Sequence, residues 1–259
     1  MKNLKKASTY LVLLLIVAAF SCKKEDTIVS TTATTTTTTN STVDLTIYKK
    51  LYGATSVTSE GDFVVIKSIG LPDHKTPYYK GTKWESTLYE AYNGTNTKFN
   101  QNPNTITEQT LTFKIPANPK EAATKSATPL GPIGISLNGV CFFNQYAAQR
   151  AALTDEINSF DQYNGHPQQQ GQYHYHVEPT YLTKLKGKDA LLGFLLDGFP
   201  VYGPLENGKN LTDSDLDVYH GHTSVTTDYP KGIYHYHITA EAPYLNGNGF
   251  FGTAGTVSQ

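Results

Sequence analysis

The chain has 259 residues, a formal net charge of −1, 38% hydrophobic residues and 17% charged ones. Near-neutral charge argues against a nucleic-acid partner, because phosphate binding needs a basic face. The length beyond the N-terminal segment suits one domain, although it would allow two.

At the N-terminus, Lys2, Lys5 and Lys6 precede an apolar run from Tyr10 to Phe20, followed by Ser21 and Cys22. A basic start, a short apolar run and a small residue predict a secretory signal over residues 1–21, since the run is too short for a permanent span. Cys22 after a small residue resembles the lipobox of bacterial lipoproteins, although Ala19 and Phe20 depart from its commonest form. That resemblance implies lipidation at Cys22, a membrane partner held through the lipid, and a place at the bacterial outer membrane or cell surface. The alternative is an ordinary secreted protein in which Cys22 is incidental. Residues 22–44 then form a linker, because Ser30 to Val43 is nearly all threonine and serine and cannot bury enough apolar surface to order itself. Cys141 is the one other cysteine, so no intramolecular disulfide is expected; among Val140, Phe142 and Phe143 it reads as a buried small hydrophobe.

Residues 45–259 read as one mainly β domain of antiparallel sheets with a few short helices. Asp62–Lys67, Thr110–Ile115 and Ile133–Phe143 are rich in β-branched and aromatic residues and are bounded by Gly, Pro or Asn. Asn138-Gly139 and Asp197-Gly198 predict type I′ hairpin turns between short apolar runs. Gln145–Ile157, with five alanines and leucines on it, is the best helix candidate, and Pro179–Leu192 a weaker one. His74 closes Leu71-Pro72-Asp73-His74, which reads as a solvated turn.

The motif Tyr-His-Tyr-His occurs twice, at Tyr173–His176 and at Tyr234–His237. Each copy follows an Asp-x-Tyr-x-Gly-His stretch: Asp161 to His166 in the first half, Asp217 to His222 in the second. Further upstream, Gly134 to Asn144 matches Gly193 to Gly203 at an offset of 59 residues. Matched blocks in one order at nearly constant offset indicate an internal duplication, with halves of about residues 131–178 and 190–239 related by a pseudo-twofold. His220 falls where the first half has Asn164, which marks it as peripheral.

In a strand, residues i and i+2 face the same way, roughly 6.5 to 7 Å apart. His174 and His176 therefore project together, as do His235 and His237, with the tyrosines turned to the other face. Two such imidazoles can converge on one ion, and His166 or His222, carried by glycine-containing turns, can complete the set. The imidazole donors suit zinc or copper as a bound cofactor. Asp161 and Asp217 are candidates to accept the other ring N–H and fix the tautomer; with Asp197 they are also the candidate catalytic carboxylates, although Asp197 fits a turn role better. A buried His/Tyr/Asp network without metal is the competing account.

These residues resemble the YHYH domain family. The resemblance runs through Leu71–His74, Asn102–Asn104, Gly131–Gly134, Leu137–Gly139, Asp161–His166, the first Tyr-His-Tyr-His and Leu196–Pro204; where that family commonly has a cysteine before Gly-His, this chain has Tyr163 and Tyr219. The expected function is a cell-envelope lipoprotein with a transition-metal-binding β domain, open to use as a metal-dependent hydrolase or oxidase on a small molecule or glycan. The alternative is a non-catalytic surface module, binding glycan or protein, whose histidines are structural.

Overall fold

The computed structural model describes residues 43–259, so the expected signal, Cys22 and nearly all of the threonine-rich tract lie outside the described residues. Sixteen strands and two short helices make the described chain mainly β, as its pattern predicts. Among the described residues, no helix is long and apolar enough to cross a membrane.

Eight strands form the central sheet. The first half supplies β1 (Pro132–Ser136), β2 (Cys141–Phe143), β3 (Gly165–Pro167) and β4 (Tyr173–Tyr175). The second half supplies β5 (Leu191–Leu195), β6 (Pro200–Tyr202), β7 (Gly221–Ser224) and β8 (Ile233–His237). Their spatial order is β7-β8-β6-β5-β1-β2-β4-β3, which is the same sequence of elements read outward in both directions from the β5–β1 junction. The duplication is thus a pseudo-twofold within a single sheet, and its axis passes between β1 and β5.

At that junction the strands are antiparallel, pairing Gly134 with Leu195, Ile135 with Phe194 and Ser136 with Gly193. Both strands are buried along their whole length, so side chains on both faces enter the core. The repeat-matched glycines are needed for close approach. A Cβ on Gly134 would stand 2.4 Å from the Phe194 carbonyl oxygen, and one on Gly193 would stand 2.2 Å from that of Ile135. Farther out the sheet is mixed: β2 with β4 and β6 with β8 pair in parallel, whereas β3 with β4 and β7 with β8 are antiparallel.

A second sheet takes Ser56–Glu60, Phe63–Ser68, Leu111–Pro116 and Thr256–Ser258, in that order. Its strands alternate, with Val64, Ile66, Leu111, Phe113 and Ile115 buried. They join Ile133, Ile135, Phe194 and Val201 of the central sheet in one hydrophobic cluster, the period-two solution for a sheet with one wet face.

Three local expectations change. The Asn138-Gly139 and Asp197-Gly198 turns are not type I′, because only the glycines have positive φ, at 82° and 84°. Gly139 N–H bonds Ser136 O and Gly198 N–H bonds Leu195 O, which is a type I turn followed by a left-handed glycine. Residues 145–157 form no α-helix. Single 3-10 turns occur at Ala148–Arg150 and Glu156–Ser159, with Gln149 at φ 59° and Arg150 at φ 60°; alanine propensity is a weak preference that tertiary contacts override. The weaker candidate does become a helix, Thr180–Lys186, ended by Gly187 at φ 108°.

Replacing Gly193 with alanine should force β1 and β5 apart at the pseudo-twofold. Urea unfolding should show a loss of about 1–3 kcal/mol, the range for overpacking in a filled interior, and an unchanged midpoint would contradict the close approach.

Candidate metal centres

The strand period sends the imidazoles of each motif to one face and the phenols to the other. On the phenol face, Tyr173 donates to Asp161 at 2.7 Å and Tyr234 donates to Asp217 at 2.9 Å. Tyr175 accepts from the Asn138 amide at 3.1 Å, while Tyr236 donates to Asp197 at 2.6 Å. Asp161 and Asp217 therefore do not reach the imidazoles. Each also takes the backbone N–H groups of the following Tyr and Gly, which shapes the turn that delivers Gly-His. Asp197 is fully buried, accepting N–H groups of Phe199 and Gly252 besides Tyr236, and burial pushes its carboxyl up to about 6. The three candidate carboxylates are anchors for turns and tyrosines, on the side of the sheet away from the six clustered histidines.

On the other face, six histidines assemble into two separate groups of three. Register brings them together: His166 on β3 lies opposite His174 on β4, and His222 on β7 lies opposite His235 on β8. His176 and His237 follow two residues along. Each group gains a glutamate that the sequence did not single out. The clusters are Glu156 with His166, His174 and His176, and Glu206 with His222, His235 and His237, each with its candidate ligand atoms within 4.8 Å of one another.

In the first centre, His174 Nε2 lies 3.1 Å from His166 Nε2 and 2.9 Å from His176 Nε2. Glu156 Oε1 lies 3.2 Å from His166 Nε2 and 3.8 Å from His176 Nε2. The opposite ring nitrogens are held by acceptors. His174 Nδ1 meets Gln172 O at 3.1 Å, and His176 Nδ1 meets Asn144 O at 2.6 Å. His166 Nδ1 meets Ser159 Oγ at 2.7 Å, whose own hydrogen goes to Glu156 O. The carbonyl acceptors place the proton on Nδ1 of His174 and His176, so those two Nε2 lone pairs face each other at hydrogen-bond distance with no proton to share. His166 Nδ1 meets both Ser159 Oγ and the Asn102 amide, a donor at 3.3 Å, and its Nε2 faces Glu156.

The second centre repeats the design. His235 Nδ1 donates to Ile233 O at 2.9 Å and His237 Nδ1 to Gly203 O at 2.8 Å, the positions equivalent to Gln172 and Asn144. Glu206 Oε2 stands 3.2 Å from His222 Nε2, and Oε1 stands 3.8 Å from His235 Nε2. The Nε2 atoms of His222, His235 and His237 are buried and have no hydrogen-bond partner among the described residues. Buried polar atoms without partners are rare and costly. Three of them aimed at one point fit a cation.

Electrostatics agree. Burial, then the neighbouring imidazoles His166 and His176, pushes His174 well below the usual histidine range. Burial pushes His176 and His237 down to about 4 and also lowers His235. For Glu156 and Glu206 burial alone would raise the carboxyl, but hydrogen bonds and the adjacent imidazoles hold both below the ordinary value. Neutral imidazoles at His174, His176, His235 and His237 beside ionised carboxylates are ligand forms that metals require.

The two remaining histidines are also built in. His74, expected as a solvated turn residue, is 3% exposed, with its Nε2 at 3.1 Å from the Tyr175 hydroxyl; it belongs to the phenol face. His220, expected at the periphery, is fully buried between Asp213 and Thr239. It has φ 74°, and its counterpart Asn164 has φ 65°, so it completes the turn before Gly221. The two glutamates had no repeat signal to reveal them. Glu156 lies 12 residues after Asn144, whereas Glu206 lies 3 after Gly203, and they come from a 3-10 turn and a two-residue strand respectively.

The fold and site define an internally duplicated β domain with two His/Glu clusters able to hold a metal ion. Comparison with known families matches the YHYH protein family over residues 112–213 and 206–249. That span is more than half of the chain, and the chain belongs to the YHYH family. No curated protein and no solved structure matches it.

Low folded-state pKa values have a stability consequence in the metal-free protein. The unfolded chain takes up protons on histidine near 6.5, while folded His176 and His237 resist until about 4. Unfolding therefore binds protons between these values, and stability falls as pH drops through the window. Chelated protein should lose on the order of 3 kcal/mol per imidazole from about pH 6.5 to 4, read as a falling urea midpoint. A midpoint that stays flat across this window would refute the burial argument.

Proposed function

We propose that this protein is a cell-envelope lipoprotein whose β domain binds two transition-metal ions, one at each His3Glu centre. The observation that carries the reading is the convergence of three buried Nε2 atoms and a carboxylate at each centre, with carbonyl acceptors fixing the Nδ1–H tautomer of His174, His176, His235 and His237. A purely structural network would give each imidazole nitrogen a partner of its own, as Asp161 and Asp217 do for the phenols on the opposite face.

Zinc suits the donors best. Four ligands at about 2.0–2.1 Å in a tetrahedron stand about 3.4 Å apart, and four of the six ligand pairs of the first centre stand at 2.9, 3.1, 3.2 and 3.8 Å, with all six within 4.8 Å. Copper(II) favours tetragonal arrangements, which three imidazoles converging from two adjacent strands match less well. Four protein donors fill a tetrahedral ion, so this geometry favours holding a metal over activating a hydroxide for hydrolysis. The envelope assignment rests on the basic and apolar N-terminus, Cys22 and the threonine-rich tether.

Elemental analysis of protein purified without a polyhistidine tag should find two zinc equivalents per chain. His174→Ala/His176→Ala and His235→Ala/His237→Ala should each lose one equivalent, and the combined variant both. Bound zinc should raise the Tm, with a gain of about 4 kcal/mol per site when free metal exceeds Kd a thousandfold. Protein that stays metal-free after reconstitution with zinc and copper would make the histidines structural.

A further inference from the structure

The two centres share one plan but not one environment. Phe143 stacks on His174 of the first centre, with ring centroids 3.8 Å apart, and Phe160 packs edge-on against His166 at 4.8 Å. The His166 side chain is 4% exposed, and that of Glu156 beside it 26%. At the position equivalent to Phe143 the second half has Tyr202, which meets His235 edge-on at 5.1 Å and points its hydroxyl to Thr226 and Asp228. The His222 side chain is 26% exposed.

A cleft of about 870 Å³ opens at this second centre, with Glu206, His235, His237 and Tyr202 among its walls. That volume suits a small molecule. Lys49, Lys50 and Lys186 line it together with Asp189 and Asp228. The lysines offset the two aspartates and Glu206, so a divalent ion at the centre leaves the cleft with net positive charge, a field that draws anions.

We propose that the second centre is an accessible site at which a small anion, entering from this cleft, ligates the metal in place of Glu206, while the first centre, its imidazoles covered by Phe143 and Phe160, is a structural site. This rests on the metal-binding reading above. The exchange breaks one metal–carboxylate bond and forms one metal–anion bond, with no change of oxidation state. Glu206 is suited to leave: among the ligands on the cleft wall its side chain is 20% exposed where that of His235 is fully buried, and Ser224 Oγ at 2.7 Å can keep its carboxylate solvated once displaced.

Cobalt(II) in place of zinc reports coordination through its visible absorption, and azide serves as the probe anion. In protein carrying two cobalt ions, azide should change the absorption of half the metal. His174→Ala/His176→Ala, which keeps the second centre, should retain that response; His235→Ala/His237→Ala, which keeps the first, should lose it. Should either pair fail to fold, Lys49→Ala/Lys186→Ala, outside both ligand sets, should fold normally and bind azide about 3- to 10-fold more weakly at low salt. An equal response at both ions, a response at the first alone, or none at all would overturn the inference and leave metal binding standing. Failure to take up cobalt would overturn the metal reading itself and this inference with it.

Discussion

A β-strand places alternate side chains on opposite faces, and this period sorts each Tyr-His-Tyr-His run into two chemistries. The phenols turn to one face, where aspartates, asparagine and backbone N–H groups hold them. The imidazoles turn to the other, where each spends its Nδ1 proton on an oxygen acceptor and presents Nε2 to its neighbours. Locked phenols hold the strand in register, because a one-residue slip would exchange the two faces entirely. The anchors on one side of the sheet are thus what keeps the lone pairs of the other aimed at a common point.

The duplication gives this arrangement an architecture. The central sheet reads identically outward from the β1–β5 junction, so two Gly-lined inner strands join the halves and the two histidine groups sit toward opposite ends. Gly134 and Gly193 mark where the copies meet. Because the inner strands are buried on both faces, neither half can shed the other without exposing a continuous apolar surface. Distance separates the two centres, and that leaves each free to acquire its own surroundings.

The surroundings have in fact diverged. A Phe143-to-Tyr202 difference, a wall of Phe160 at the first centre and a lysine-lined cleft at the second give the two clusters different surroundings. The glutamates follow the same logic. Each completes its own centre from an unrelated element, a 3-10 turn in one half and a short strand in the other, so only the imidazole part of each centre is strictly symmetric.

The amino-acid sequence by itself determined the duplication, the mainly β class, the strand character of both motifs and the shared face of the two histidines in each motif, with His166 and His222 as candidates to join them. These follow from residue type and short-range period, because i and i+2 in a strand share a face wherever the strand is placed. Tertiary structure alone decided that the histidines form two centres and not one, that Glu156 and Glu206 join them, and that Asp161, Asp217 and Asp197 anchor tyrosines instead. It also decided that His74 and His220 are buried, that residues 145–157 are not a helix, and that the hairpins turn through type I geometry. Each of these depends on partners distant in the chain: a carboxylate reaches an imidazole only once pairing has brought their backbones together, and no local spacing records where that pairing will fall.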